Sequence, residues 1–125
     1  MDPTLSVDIA SLDEEHQALA TAVHGLFADH APDQGELLAA LDGLGRTVAE
    51  HFAHEERVML NIGLPEFAAH VAAHRALLAE LASFRTDVEH EFHDKSVDEL
   101  RTYLSYWLFR HISKDDMRIR AHLHR

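Results

Sequence analysis

The segment HFAHEERVMLNIGLPEFAAHVAAH, residues 51–74, contains the strongest indication of how the helices of this chain are arranged. Two helical segments meet there at a Gly-Leu-Pro sequence, which ends one helix and precedes the next. A connection this short places the two helices side by side and antiparallel. Each segment carries two titratable residues four positions apart, His51 with Glu55 and His70 with His74. At 1.5 Å per residue both pairs lie roughly 8–16 Å from the loop, at one depth in the molecule.

The rest of the chain also has the composition and pattern of helices. Only three Pro and five Gly are present, and no segment alternates apolar and polar residues over the length of a strand. We therefore expect four helices, at residues 11–31, 36–62, 65–92 and from 96 to at least 111. Short connections between successive helices predict an all-α fold, an up-down-up-down antiparallel four-helix bundle.

Local signals indicate the helix ends. Capping boxes at residues 11–14 and 96–99, each a Ser followed three positions later by Glu, predict the starts of the first and fourth helices. Pro65 suits the first turn of the third helix, where its missing N–H leaves no bond unmade. Gly43 and Gly45 each cost about 1 kcal/mol relative to Ala inside a helix, so we expect the second helix to kink or to begin later than residue 36.

Length and charge exclude several classes of protein. A chain of 125 residues forms one domain, residues 1–125, because a second core needs more chain. No apolar run approaches the ~18–20 residues of a membrane span, and the N-terminus lacks the features of a secretory signal, so we expect a cytoplasmic protein. A formal net charge of -11 repels phosphate backbones and anionic lipids, which argues against nucleic acid or a membrane as partner.

Twelve His and no Cys leave imidazole and carboxylate as the strong metal ligands of this chain. When each helix is given a seam of core positions with 3,4 spacing, a few seam positions are titratable and the others are apolar. The titratable ones are His16, His51, Glu55, His70, His74 and His111. A buried polar group without a partner costs roughly 1–3 kcal/mol, so these groups must be satisfied together. Because the bundle topology brings them all to one end of the core, the sequence predicts a metal site there.

Asp116 follows His111 by five residues. On an unbroken α-helix this separation turns the two side chains about 140° apart, at 100° per residue. Asp116 can therefore join the site only if the fourth helix ends or distorts at this point.

The order of these residues resembles that of a known family. The sequence contains Asp13-Glu14-Glu15-His16, His51-x-x-x-Glu55, His70-x-x-x-His74 and Trp107-Leu108-x-x-His111-Ile112-x-x-x-Asp116. This pattern closely resembles the hemerythrins, in particular the single-domain bacterial hemerythrins, over essentially the whole chain. One departure is Leu64, where many relatives carry a Tyr before the Pro of the loop.

The resemblance implies a non-heme diiron centre with an oxo or hydroxo bridge. In this arrangement one iron is bound by His70, His74 and His111, the other by His16 and His51, and both are bridged by Glu55 and Asp116. The family also places Trp107 and Leu108 beside the pocket for O2. Ligand counting on this scheme leaves one vacant position, on the iron held by His16 and His51, where O2 would bind.

The implied function is reversible O2 binding for storage, delivery or sensing, without catalysis. Five imidazoles and two carboxylates give the metals less negative charge than a carboxylate-rich ferritin-like site, which favours reversible binding over O–O cleavage. Three alternatives stay open. They are a diiron enzyme or regulatory sensor acting on peroxide or nitric oxide, a regulatory domain that passes O2 or a signal to a partner protein, and a metal-free or zinc-binding bundle.

The remaining titratable residues are expected on the surface. The other seven histidines fall off the seams or at helix ends: His24, His30, His54, His90, His93, His122 and His124. His54 is the nearest rival ligand, but it lies off the seam that carries His51 and Glu55. The acidic runs at residues 13–15 and 115–116 are expected to be solvated, apart from Asp116.

Overall fold

The computed structural model describes residues 6–93 and 96–124, without the side chain of Ser96, so the capping box expected at 96–99 lies outside the described residues. The helices are α1 (Ala10–Gly25), α2 (Gln34–Asn61), α3 (Phe67–His90), α4 (Ser96–Arg110) and α5 (Met117–Leu123). A π-helical segment, His111–Asp116, joins α4 to α5 without a break. Within these residues there is no strand, and no helix is both long and apolar enough to cross a membrane.

Two apolar clusters show the antiparallel order of the four main helices. The far cluster lies at the end of the bundle away from the turn between α2 and α3. It joins the end of α1, the start of α2, the end of α3 and the start of α4. Its buried members are Val23, Leu37, Leu41, Leu81, Val88, Val97, Leu100 and Leu104. The near cluster, at the opposite end, contains Val7, Leu12, Met59, Leu64 and Ile119. Alternate ends of successive helices therefore meet at each end of the molecule, which confirms the all-α, up-down-up-down four-helix bundle.

The turn between α2 and α3 closes with a Schellman motif. The Gly63 N–H donates to the Leu60 carbonyl at 3.2 Å, and the Leu64 N–H donates to the Met59 carbonyl at 3.0 Å. Gly63 has a φ of 66°, a left-handed conformation that costs roughly 1–2 kcal/mol for a residue with a Cβ. Leu64 is buried beside Met59 in the near cluster. The Gly-Leu-Pro sequence thus ends α2 as expected.

The start of α1 differs from the expectation. The helix begins one residue before Ser11, and no side chain caps it, so the expected capping box is wrong. Asp13 instead anchors the segment that precedes the helix, because its carboxylate accepts hydrogen bonds from the Val7 N–H at 2.9 Å and the Ser6 hydroxyl at 2.6 Å. The helix also ends at Gly25, several residues before the expected end at residue 31.

The ends of α2 and α3 also correct the expectations. α2 begins with a capping box that the sequence reading missed, in which Asp33 accepts from the Glu36 N–H and Glu36 accepts from the Asp33 N–H. It begins at Gln34 and continues through Gly43 and Gly45, so the expected late start is wrong. Pro65 lies in the turn before α3, not in its first helical turn.

Two glycine substitutions are expected to change stability in opposite directions. Gly63→Ala places a Cβ on left-handed backbone and should lower the free energy of unfolding by about 1–2 kcal/mol. Gly43→Ala lies within α2, where a Cβ meets no neighbouring side chain closer than 3.9 Å, and should raise it by roughly 0.5–1 kcal/mol. Urea denaturation followed by circular dichroism measures both changes. A Gly63→Ala variant as stable as the parent would contradict the assigned turn.

Candidate metal centre

Seven polar residues are buried in the part of the chain that the structure describes, and each is at most 5% exposed. They are His16, His51, Glu55, His70, His74, His111 and Asp116. We call them the seven-residue cluster. They are the seven positions singled out from the sequence, so the structure brings every expected ligand residue into one buried group.

Three helices and the π segment contribute to the cluster. His16 lies in the first half of α1, and each of α2 and α3 contributes two residues four positions apart, which share one face of their helix. The antiparallel turn between α2 and α3 brings these pairs to the same depth. As a result, the Nε2 atom of His74 lies 2.8 Å from Oε1 of Glu55.

The π segment carries both residues contributed from the end of the fourth helix. His111 and Asp116 are its first and last residues. In a π-helix the hydrogen bond runs from residue i to residue i+5, so residues five apart return to the same side. This is the distortion on which the inclusion of Asp116 depended. It places Oδ1 of Asp116 3.0 Å from Nε2 of His111.

The two carboxylate oxygens of Glu55 face different histidines. Oε1 lies 2.8 Å from Nε2 of His74, 3.1 Å from that of His70 and 3.4 Å from that of His111. Oε2 lies 3.2 Å from Nε2 of His51 and 3.4 Å from that of His16. Glu55 therefore divides the five histidines into a group of three and a group of two.

Asp116 divides the histidines in the same way. Its Oδ1 atom lies 2.8 Å from Nε2 of His70 and 3.0 Å from that of His111, whereas Oδ2 lies 3.0 Å from that of His16. The donor atoms form two adjoining groups, each with all its atoms within 4.8 Å of one another. Glu55 and Asp116 belong to both groups, as bridging ligands would.

The carboxylates raise the pKa of three histidines. Burial opposes the charged imidazolium, yet hydrogen bonds to Asp116 and Glu55 raise the pKa of His16 to about 9 and that of His70 to about 9. Burial also opposes charge on His111, but its carboxylate partners raise its pKa to about 11. Burial favours the neutral form of Glu55, and hydrogen bonds to the surrounding histidines nevertheless hold its pKa well below the usual value. The cluster therefore stabilises positive charge at the inward nitrogen atoms.

The donor set fits two cations with nitrogen and oxygen ligands. The Nε2 atoms of His51 and His111 are buried and make no well-formed hydrogen bond among the described residues. A neutral imidazole offers a lone pair at such an atom, and imidazole with carboxylate suits iron and zinc alike. Two ions held side by side would satisfy the five inward nitrogen atoms and the four carboxylate oxygens together.

Three further carboxylates orient histidines of the cluster from outside. The Nδ1 atom of His51 lies 2.6 Å from Oε1 of Glu15, that of His74 lies 2.9 Å from Oε2 of Glu56, and that of His111 lies 3.3 Å from Oδ2 of Asp115. A hydrogen bond to Nδ1 fixes the ring and leaves Nε2 free for a metal.

Sequence reasoning missed these outer carboxylates. The sequence pattern predicts that Glu15 and Asp115 are solvated and gives no prediction for Glu56. The structure corrects this, because all three are partly buried against a histidine. A usable signal was present, since Glu15, Glu56 and Asp115 each stand next to a residue of the cluster in the sequence.

His54 lies outside the cluster. Its Nδ1 atom lies 2.7 Å from Oε2 of Glu15, the carboxylate whose other oxygen contacts His51. Among the other histidines expected on the surface, five are exposed: His24, His30, His90, His93 and His124. His122 is half-buried and its Nε2 atom lies 2.8 Å from the Ile62 carbonyl.

An apolar layer covers the cluster on the side facing the middle of the bundle. This middle cluster consists of Leu19, Val48, Phe52, Trp107, Leu108 and Ile112. The Phe52 ring stacks on His74 with a centroid distance of 3.8 Å and an interplanar angle of 3°. Trp107 and Leu108 are each 6% exposed, and the indole of Trp107 lies 6.4 Å from the ring of His111. The seven-residue cluster therefore lies between the middle and near apolar clusters.

The protein is thus a four-helix bundle with a buried cluster of imidazoles and carboxylates that could hold metal. The family model "Hemerythrin HHE cation binding domain" matches residues 7–123. A bacteriohemerythrin of Stenotrophomonas maltophilia is 31% identical over 124 residues, covering 95% of this chain and 80% of that protein. A hemerythrin of Sipunculus nudus is 31% identical over 117 residues, with 94% and 87% covered.

Myohemerythrin of Riftia pachyptila is 27% identical over 122 residues, covering 98% of this chain and 91% of that protein. The match of the family model to nearly the whole chain and the similarity to these relatives show that the chain belongs to the hemerythrin family. Membership supports, in general terms, a protein that holds non-heme iron and binds oxygen.

The stability of the metal-free protein is expected to fall as the pH rises above neutrality. The raised pKa values of His16, His70 and His111 add to the free energy of unfolding. This contribution is complete below the unfolded pKa of about 6.5 and is lost as the pH rises through about 9 and above. The lowered pKa values of Glu55 and Asp116 give a contribution that is lost as the pH falls below about 4. Urea denaturation after chelation should therefore show maximum stability at about pH 5–6.5; a maximum above pH 8 would contradict the charge assignment.

Removal of an outer carboxylate is expected to weaken metal retention. Glu56→Ala takes away the acceptor of the His74 Nδ1–H and should lower metal affinity roughly 10- to 100-fold. Glu50→Ala makes the same change at an exposed site on α2 and serves as the control. Competition with a chelator measures both affinities. Equal retention in the two variants would show that Glu56 does not support the site.

Proposed function

We propose that this protein binds O2 reversibly at a diiron centre formed by the seven-residue cluster. One iron is held by His70, His74 and His111 and the other by His16 and His51. Glu55 and Asp116 bridge the two. The single observation that carries this assignment is the division of the carboxylate oxygens, because Oε1 and Oδ1 face the first group of histidines while Oε2 and Oδ2 face the second.

The unequal division of histidines determines where a small molecule would bind. The group of three, with one oxygen from each carboxylate, offers five donors, and the group of two offers four. The side held by His16 and His51 is therefore the one with room for an added ligand. When bound, the iron pair supplies reversible electron transfer to O2.

The apolar layer supports binding without further chemistry. Phe52, Trp107 and Leu108 exclude water from the side of the cluster that faces the middle of the bundle, and we place the O2 pocket beside Trp107 and Leu108. Every buried polar residue in the described part of the chain belongs to the cluster itself.

The physiological use of this binding stays a prediction. Storage, delivery and sensing all require the same reversible step and differ in O2 affinity and in the presence of a protein acceptor. The cytoplasmic location expected from the sequence also stays a prediction.

Metal analysis and spectroscopy of the purified protein test the proposal. We expect about two irons per chain and, after anaerobic reduction, an absorption band that forms with O2 and disappears on deoxygenation. Resonance Raman bands that shift with 18O2 would identify bound oxygen. Zinc alone, or irreversible oxidation without such a band, would exclude reversible O2 binding.

Three variants test the ligand assignment. Glu55→Ala removes a donor from both groups and His74→Ala removes a donor from one, so both are expected to lower the iron content. His54→Ala is the matched control, since His54 contacts Glu15 and lies outside the cluster. Iron loss in the His54 variant equal to that in the His74 variant would show that the wrong histidine is assigned.

A further inference from the structure

A groove on the surface of the bundle runs between α3 and α4. Its volume is about 650 Å³, within the range of roughly 300–1,000 Å³ that is typical of small-molecule sites. We call it the α3–α4 groove. One of its walls contains Trp107 and His111, so it reaches the candidate metal centre from the outside.

Aromatic side chains line much of the groove. Phe84 and Tyr103 stack with a centroid distance of 6.0 Å and an interplanar angle of 15°. Tyr106 also lines the groove and is a large aromatic residue that is 63% exposed. Flat aromatic faces of this kind bind planar rings by stacking or edge contacts.

Two cations without an acidic partner lie at the end of the groove nearest the metal centre. Arg110 and Lys114 line it and are exposed, and neither side chain forms an ion pair or hydrogen bond with any described residue. They are four positions apart along α4 and the π segment. In a chain with a net charge of -11, unpaired cations beside an aromatic groove provide a local site for an anion.

The acidic residues near these cations are already engaged. Glu80 accepts a hydrogen bond from the Tyr103 hydroxyl at 2.6 Å. Asp115 contacts the Nδ1 atom of His111 at 3.3 Å. The other acidic residue of the lining, Asp87, lies toward the opposite end of α3. Glu80 and Asp115 keep their negative charge but face Tyr103 and His111, so Arg110 and Lys114 are the charges without a partner among the described residues at the end of the groove beside Trp107.

We propose that the α3–α4 groove binds a small planar aromatic anion. Its ring lies against Tyr106 and Trp107, and its phosphate or carboxylate is held by Arg110 and Lys114. This site is separate from the seven-residue cluster and does not require metal there. It places the bound ring next to His111, and so next to one wall of the candidate metal centre.

Flavin mononucleotide and riboflavin are suitable probes, because they share one planar ring system and differ in a phosphate group. Equilibrium dialysis of each flavin against the purified protein measures the dissociation constant and the stoichiometry. We expect one FMN per chain, bound at least about tenfold more tightly than riboflavin, since the charge-assisted contacts to Arg110 and Lys114 require the phosphate. Equal affinities for the two flavins, or no saturable binding of either, would overturn the proposal.

Charge reversal locates the site. The double variant R110E/K114E is expected to raise the dissociation constant of FMN at least about tenfold and to leave that of riboflavin nearly unchanged. Arg46→Glu reverses an exposed cation on α2, outside the groove, and should change neither. An equal loss of FMN binding in the Arg46 variant would show that only the net charge matters and would overturn the assignment.

A filled groove gives an independent test that does not alter charge. Ala76 is exposed and lines the groove, so Ala76→Trp should abolish binding of both flavins. Circular dichroism and iron content, measured on the same sample, report whether the bundle is intact. Unchanged FMN binding in a folded Ala76→Trp protein would place the ligand elsewhere and overturn the proposal.

Discussion

Two buried carboxylates that face five imidazoles are the interaction on which this structure depends. Burial of Glu55 and Asp116 removes two charges from water, at a cost of several kcal/mol each unless partners replace the hydration. The inward nitrogen atoms, protonated or bound to a cation, are those partners. Since the other described polar residues lie outside the buried set, the bundle contains one charged layer between the middle and near apolar clusters.

Several local features follow from the need to complete this layer. The Schellman turn at Gly63 brings α2 and α3 into antiparallel contact at the required depth. The π segment turns Asp116 inward. The outer carboxylates stand next to cluster residues in sequence, so one stretch of backbone both supplies a cluster residue and orients a ring. On the outer side of His111, the same layer forms part of the wall of the α3–α4 groove.

Much of the fold and most of the site could be predicted from the sequence, because the signals are local. The 3,4 spacing of apolar residues identifies the inner face of each helix, and loops as short as Gly-Leu-Pro order the helices antiparallel. Together these two constraints place His16, His51 and His70 at one end of the core. The helix ends were predicted less well, because caps such as Asp33 and anchors such as Asp13 depend on the neighbouring loop.

The inward position of Asp116 and the roles of Glu15 and Asp115 depend on contacts between helices. An α-helical spacing would turn Asp116 away from His111. The π segment turns it inward, where it contacts His16 on α1 and His70 on α3, and these contacts stabilise the distorted backbone. From the sequence of its own helix, a carboxylate on the helix surface is predicted to be solvated. Adjacency to a cluster residue marks it as a candidate, but whether it meets an imidazole depends on the rotation and distance of the next helix, which packing sets.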